Sequence, residues 1–437
     1  MHGADFAADP HGAYDEMRAL GKPAAPVELA PGVEATLVVD YQTARAVLQN
    51  TQDFSRDPRR WKALNEGKIP LDSPVLPMMM HRPNAMFSDG AVHLRLRKNI
   101  TDSLDKLNTG RIRRDVKDIA LFLIDQFSER GSADLLNDYA KPLPALVFNR
   151  LVGCPADIGD RLASSMSALL DGTDAQKASE EISSCLMELI TLKRREPGED
   201  VTSWLIQHPA ALSDEELNYQ LFLLMGAGLE PEAALISNPL LLLLSGATSG
   251  RGSSMLPEEA VDHVLWNNPP IANYATHYPV RDVDLGGVQV EAGTPVVISF
   301  GGANTDPVLR TARQSLSKGG HLAWGAGPHA CPAKSPAQVI ALTAIETILN
   351  ELPDLALAVP AEEMQWRPGP FHRALAAMPI RFAPSPGTRA ASLQTPTDDA
   401  RATTAEPSRA PAVQPSGQDA KPAKKGFWSS FLDIFRV

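Results

Sequence analysis

A capping box at Ser213-Asp-Glu-Glu216 opens a long apolar helix that the sequence carries from Leu217 to about Leu244. A helix of that kind needs a large body around it. Its longest unbroken apolar run, Pro239-Leu-Leu-Leu-Leu-Leu-Ser245, is far shorter than the ~20 residues of a membrane span, so burial in a protein core is expected. With 437 residues the chain is long enough to supply that core. Helical periodicity recurs at residues 115–130 (Ile119, Leu121, Phe122, Ile124, Phe127) and 337–350 (Val339, Ile340, Leu342, Ile345, Ile348, Leu349). Strands are expected at 34–39, 288–290 and 296–300, punctuated by Gly286-Gly287 and Glu291-Ala-Gly293. The expected class is mainly α with a small β-sheet segregated to one side, an α+β fold.

Charge and cysteine content narrow the function. Lys and Arg number 41 against 52 Asp and Glu, a net charge of -11, which disfavours nucleic acid as a partner. Cys154, Cys185 and Cys331 are too few and too scattered for a disulfide framework, so a reducing cytoplasm is expected. The start, MHGADFAADP, has no apolar stretch behind a basic end, and no signal peptide is expected. Residues 1–384 form the expected folded domain. Residues 385–423, rich in Pro, Ala, Ser, Thr, Gln and Asp, read as a disordered linker. Residues 424–437 read as an amphipathic segment with Lys424 and Lys425 ahead of Phe427, Trp428, Phe431, Leu432 and Phe435 on one helical face. Membrane-surface binding, docking on a partner and docking on the chain's own domain all stay open for it.

The chemistry concentrates at Trp324-Gly325-Ala-Gly-Pro-His329-Ala-Cys331-Pro-Ala333, a Gly- and Pro-punctuated loop with a lone cysteine ahead of a helix. The positive end of that helix favours a thiolate, and backbone N–H groups near the sulfur would tune a metal–thiolate bond. A buried structural cysteine is one alternative. A zinc site built on His321, His329 and Cys331 is another, although the spacing fits no usual zinc pattern.

This loop resembles the ligand loop of the cytochrome P450 heme-thiolate monooxygenases, Phe-Gly-x-Gly-x-His-x-Cys-x-Gly, with Trp324 for Phe and Ala333 for the last Gly. The likeness continues at Asp89-Gly-Ala-Val-His93-Leu-Arg95-Leu-Arg97, at Met225-Gly-Ala227-Gly228-Leu-Glu230, at Pro269-Pro270, at Asp282-Val-Asp-Leu-Gly-Gly287 and at Ala303-Asn-Thr-Asp-Pro307. It implies heme b with its iron on the Cys331 thiolate. It also implies heme contacts from His93, Arg97, Ala227, Gly228, Trp324, Gly325, His329 and Ala333, with His277 where the family has a propionate-binding Arg. His93 and Arg97, four residues apart, share a helical face. A ferredoxin-type electron donor, a small apolar substrate and O2-dependent oxidation follow from the same resemblance. Residues 69–86, 163–179 and 271–278 would line the substrate pocket, with Pro77-Met-Met-Met80 either a pliable roof or core.

Three departures bear on activity. The family's Glu-x-x-Arg falls on His263-Val-Leu-Trp266, which resembles an actinobacterial subgroup found in operons with a GTPase and kinase-like partners. Asp262 could partly replace the Glu, but Trp266 cannot give a bidentate fork, so a stacked apolar solution is expected. Arg310 or Arg313 could stand for a further family Arg. On the distal side Glu230 is kept as the acid, but the family's Thr is Pro231, which offers neither N–H nor hydroxyl and would kink the helix. Pro332 removes one N–H next to the sulfur, leaving Ala333 and Lys334. A monooxygenase with Glu230 and Pro231 at its catalytic helix is the first reading. The alternatives are a weakly active heme sensor or scaffold in a GTPase/kinase assembly, and a chain without heme. A cytoplasmic location, with the C-terminal segment touching the membrane as an option, completes the expectations.

Overall fold

Pro31 and Gly32 reverse the chain between two apolar stretches and start the sheet, and Gly32 takes a positive φ of 73° that a side chain would resist. The computed structural model describes residues 1–170, 175–246, 255–309 and 319–385. In the first hairpin β1 (Ala24–Ala30) pairs antiparallel with β2 (Val33–Val38). β3 (Phe54–Ser55), β4 (Ser132–Asp134), β5 (Asn273–Pro279), β6 (Val283–Asp284), β7 (Gln289–Val290), β8 (Val296–Ser299), β9 (Ala356–Leu357) and β10 (Pro379–Arg381) complete the described strands. The main sheet runs β1-β2-β8-β5-β3, with β2 and β8 parallel and the other neighbours antiparallel. A three-stranded sheet runs β4-β10-β9, and β6 and β7 form a hairpin. The rest is mostly helix, so the chain is mainly α with segregated sheets, as its sequence implies.

The long helix spans Asp214–Leu244. Glu216 N–H donates to Ser213 Oγ (3.2 Å) and Ser213 N–H to Glu216 Oε2 (3.0 Å), which closes the capping box. By length and composition it is the one helix among the described residues that could cross a membrane, yet Leu235, Ile236 and Leu240 are buried in the core. The helix expected at 115–130 runs Thr109–Asp125 instead. Asn108 accepts from Arg111 N–H and starts it early, and a 3-10 turn at Ser128–Arg130 follows its end. The helix expected at 337–350 spans Lys334–Glu351. β1 and β5 were not evident from the sequence, because prolines and polar residues interrupt their alternation. The expected linker beyond Ser385 and the 424–437 segment lie outside the described residues, as do Arg310 and Arg313.

Apolar side chains gather into three cores. One lies on the main sheet, one between the long helix, Thr109–Asp125 and Lys334–Glu351, and one around Ile182, Leu186, Leu217 and Leu221. Of the Met run, Met79 is buried in the first core and Met80 is exposed.

Candidate active site

The three cores leave a cavity of ≈ 300 Å³ between them. Its walls are overwhelmingly apolar, with basic groups gathered at one rim and one acid, Glu232, in the roof.

The floor is the loop 321–333. Cys331 N–H donates to Trp324 O (2.7 Å), Gly325 N–H to Leu322 O (2.8 Å) and Ala330 N–H to Gly327 O (3.1 Å). These bonds fold the loop back on itself and bring Cys331 to the cavity beside Trp324, Gly325, His329 and Ala333. Gly325 and Gly327 take positive φ, 70° and 69°. A Cβ on Gly327 would stand 2.4 Å from Leu48 O, so the loop needs glycine there for space as well as for conformation. The glycine N–H at 325 is spent on Leu322; the donor near the sulfur is Ala333 N–H. Burial pushes the Cys331 thiol up, and Ala333 N–H and Arg97 only partly oppose it. The expected thiolate does not follow from the helix alone, since Lys334–Glu351 begins three residues later. A coordinated metal would deprotonate the thiol outright.

Basic groups gather at one rim. The His93 and His329 rings face each other at 4.0 Å between centroids. Arg97 Nη2 donates to Ala330 O, tying the helix Gly90–Leu104 to the floor. His277 is buried, lines the cavity and contacts Ala275 O through Nδ1 at 2.5 Å. It sits in β5 just past a bulge at which Ala275 takes φ 50°. Arg56, one residue past β3, joins this group and also lines the cavity. Burial, then the neighbouring positive groups, holds His93 down at about 4, and burial holds His277 well below the usual imidazole range. Burial favours a protonated Asp89, but His329, Ser55 Oγ and Arg56 N–H outweigh it and hold the carboxyl at about 2.

The roof is the middle of the long helix, where Ala227, Gly228, Pro231 and Glu232 face the cavity. A Cβ on Gly228 would meet Phe148 Cε2 at 2.4 Å, so the Phe148 ring packs on this glycine and would have to move for any larger residue. Glu230 turns elsewhere: its Oε1 pairs with Arg367 Nη1 at 2.8 Å. Glu232 is the acid that lines the cavity. It is 4% exposed, its Oε1 has no hydrogen-bond partner, and burial holds its carboxyl well above the ordinary range despite a contact from Ala341 N–H. Pro231 lies within an unbroken helix.

Two contacts join the helix Pro257–Asn267 to the floor loop. Trp266 in the helix Pro257–Asn267 packs edge-on against His321, 5.6 Å between centroids. Asn304 Nδ2 donates to Leu265 O (3.0 Å) and its Oδ1 accepts from Leu322 N–H (2.7 Å), so one buried amide joins that helix to the floor loop.

Of the residues singled out from the sequence, Arg97, Ala227, Gly228, Pro231, His277, Trp324, Gly325, His329, Cys331 and Ala333 line the cavity together. His93 stands behind His329, and Glu230 faces Arg367. Of the expected pocket segments, 69–86 reaches the cavity through Ala85 and Met86 and 271–278 through Ile271, Tyr274, Ala275 and His277, while none of the described residues of 163–179 lines it. Arg56 and Glu232 were missed. Arg56 sits in the run Arg56-Asp-Pro-Arg-Arg60, which reads as surface charge, while Glu232 betrays itself only by standing one turn from Gly228.

No cluster of three or more His, Cys, Asp or Glu able to hold a metal occurs among the described residues, which leaves the zinc alternative without ligands. A heme suits the arrangement better. It offers an apolar face to the walls, an iron to the single thiol and two carboxylates to the basic rim. The buried polar atoms without hydrogen-bond partners at His93 Nε2, Trp324 Nε1 and Arg56 Nε all belong to residues on this rim or floor.

No family model matches the chain. It is 34% identical to the cytochrome P450 monooxygenase PikC of Streptomyces venezuelae over 401 residues, 87% of this chain and 92% of that protein. It is 28% identical to 6-deoxyerythronolide B hydroxylase of Saccharopolyspora erythraea over 402 residues, 86% and 97% of the two chains. Among solved structures it resembles CYP154C4 from Streptomyces sp. W2061, with a TM-score of 0.76, 26% identity and coverage of 85% of this chain and 95% of the other. Heme with thiolate-ligated iron is accordingly its cofactor. A likeness that spans most of the chain, together with a thiol, a basic rim and an apolar cavity in one place, makes this chain a member of the cytochrome P450 family and a monooxygenase.

Proposed function

We propose that this monooxygenase oxidises a small apolar organic molecule held above Cys331, with electrons from a ferredoxin-type donor. The observation that carries the reading is the cavity itself, whose polar side chains are the rim groups, the floor thiol and Glu232 in the roof, while the rest is walled by side chains such as Leu48, Phe148 and Leu235. Apolar walls bind an apolar guest by removing its surface from water. Two relatives are named for the organic molecules they oxidise, one as 6-deoxyerythronolide B hydroxylase and another as mycinamicin IV hydroxylase/epoxidase.

Bound heme supplies the activation of O2. The protein's part is to place the thiol, hold the carboxylates, exclude water and deliver protons. We assign proton delivery on the cavity side to Glu232, which keeps its proton and faces the space that Pro231 leaves without a hydroxyl. Glu230 then anchors the helix through Arg367. A Pro231→Thr variant is expected to pass a larger fraction of its electrons into product and a smaller one into hydrogen peroxide.

The test begins with the absorption spectrum of reduced protein under carbon monoxide. A Soret band typical of thiolate ligation that vanishes in Cys331→Ala supports the reading. Absence of bound heme after heme-replete expression defeats it. Turnover of candidate apolar compounds with surrogate electron donors then separates an enzyme from the sensor or scaffold reading. That alternative draws on Pro231 and the missing Glu-x-x-Arg, and the Asn304 and Trp266 contacts weaken the second of these grounds. Membership of the subgroup in GTPase- and kinase-bearing operons stays part of the proposal, as do a cytoplasmic location and docking of residues 424–437 on a protein or membrane surface. Truncation after Ala423 with no change in membrane association or partner capture would remove the docking role.

A further inference from the structure

Arg56 is the one arginine of the basic rim that no pattern in the sequence marked, and it is buried more deeply than Arg97. It is 5% exposed. β3 pairs with β5 through Phe54↔Pro279 and Ser55↔Tyr278, so the next step in register sets Arg56 opposite His277. Its Nη1 donates to Thr276 O at 2.8 Å, and its Nε is buried without a partner. The nearby carboxylate does not answer the guanidinium. Asp89 receives the Arg56 backbone N–H (3.0 and 3.3 Å) and Ser55 Oγ (2.5 Å), and its Oδ1 lies 3.7 Å from His329 Nε2. A buried guanidinium that meets only a carbonyl is costly to keep, and the cost is recovered only with an anion.

We propose that Arg56 is a heme-binding residue whose guanidinium clamps one propionate of the cofactor, providing the fixed cation that His277 does not provide. The supporting facts are geometric. Arg56 lines the cavity together with Arg97, His277 and His329, so the free face of the guanidinium opens on the space the cofactor fills. His277 occupies the strand position beside it and cannot present a two-pronged donor; an arginine fork can, and it matches a carboxylate. Arg97 ties to the floor at Ala330, on the other arm of the rim. Two arginines on different elements thus face a ligand with two carboxylates. The strand β3 is too short to hold itself; Ser55 and the Arg56 backbone, both anchored on Asp89, fix where the guanidinium starts.

The proposal rests on heme binding at Cys331, and the experiment separates the two. Full-length wild type, Arg56→Met and Arg56→Lys are loaded with heme, and its transfer to apomyoglobin is timed. The same is done with heme dimethyl ester, whose propionates are masked. With heme, Arg56→Met is expected to lose the cofactor about tenfold faster than wild type, the loss of one charged hydrogen-bonded contact, and Arg56→Lys to fall between. With the ester, all three proteins are expected to release it at the same rate. Equal heme release by wild type and Arg56→Met overturns the proposal. So does a tenfold gap that persists with the ester, since that marks a structural role. If Arg56→Met does not fold, Arg56→Lys against wild type decides on the same criterion. A heme release unchanged by Arg56→Met, with loss of the spectral shift on adding a fatty acid, reassigns the guanidinium to a substrate carboxylate and also overturns it. A wild type that takes up no heme defeats the underlying reading instead.

Discussion

Gly325 and Gly327 share a backbone conformation and differ in their neighbours. Both have φ near +70°, where any L-residue costs roughly 1–2 kcal/mol. A Cβ at 325 finds its nearest atom at 3.6 Å, but at 327 it meets Leu48 O at 2.4 Å and Gln49 Cα at 3.1 Å. Backbone cannot rotate away as a side chain can, so overpacking adds about 1–3 kcal/mol at 327 alone. Gly327→Ala is therefore expected to lower the unfolding midpoint and the heme content well beyond Gly325→Ala, as thermal unfolding and heme-to-protein ratio will show. Equal effects would mean that Leu48 yields. The Glu230–Arg367 pair makes a second case. Glu230 is 7% exposed, and Arg367 is its one ion-pair partner among the described residues. Arg367→Met strands a buried carboxylate, and because the arginine side is partly in water the expected loss is about 1–3 kcal/mol in urea unfolding. Combining it with Glu230→Gln should recover most of that loss. At this scale the sequence was legible where a spaced motif surrounds the residue, as at Cys331 in its Gly- and Pro-punctuated loop. It was illegible where the role depends on a distant neighbour: nothing next to Arg56 in the chain announces His277, and nothing next to Glu230 announces Arg367.

Among elements, the helix Pro257–Asn267 carries the sharpest test, because the sequence says what it lacks and not what replaces it. The resemblance that sets His263 and Trp266 at the family's ion-pair positions carries an expectation of apolar stacking. Trp266 on His321 meets it in part, but the join to the floor loop is polar: Asn304, 1% exposed, satisfies Leu265 O and Leu322 N–H at once. Asn304→Ala leaves two buried backbone groups unpaired, at about 1–3 kcal/mol each. It is expected to destabilise the folded protein by several kcal/mol and to loosen the loop that holds Cys331. Chemical denaturation measures the first effect, and the rate of heme release the second. Asn304→Asp keeps an acceptor for Leu322 but sets a buried carboxylate oxygen against Leu265 O, so at neutral pH it should be no more stable than Asn304→Ala. An Asn304→Ala protein as stable as wild type, with heme held as tightly, would show that the Trp266 stack suffices. Helices were the readable elements here because their signals are local: Ser213 and Glu216 announce their helix from within four residues. β1 and β5 hide because their pairing partners, not their own composition, make them strands.

On the scale of the molecule, the cavity belongs to no single core. Leu48, Tyr274 and Phe300 reach it from the sheet core, Leu235, Leu265 and Ile340 from the second core, and Ile100, Val152 and Met225 from the third. Such convergence is built from contacts far apart in sequence, which is why the reading of the chain reached the fold class and the Cys331 loop without reaching the seam. Physically, a ligand at the seam is the shared wall of three cores, and binding stabilises the folded state by RT ln(1 + L/Kd), where L is the free ligand concentration. Removing heme exposes facing apolar walls and the unpartnered groups of His93 and Trp324 to whatever water can enter. The main sheet has its own support, since β2 and β8 are bonded to each other and Leu37, Val38, Val296, Val297 and Ile298 are fully buried without contact with the cavity. Hydrogen exchange on heme-free and heme-loaded protein should therefore diverge by region. Amides of Gly90–Leu104, of the loop 321–333 and of the middle of Asp214–Leu244 are expected to exchange faster without heme, while those of β1, β2 and β8 keep their protection. Loss of protection throughout the sheet would instead mean that the three cores fold as one unit, with the cofactor as a condition of the whole.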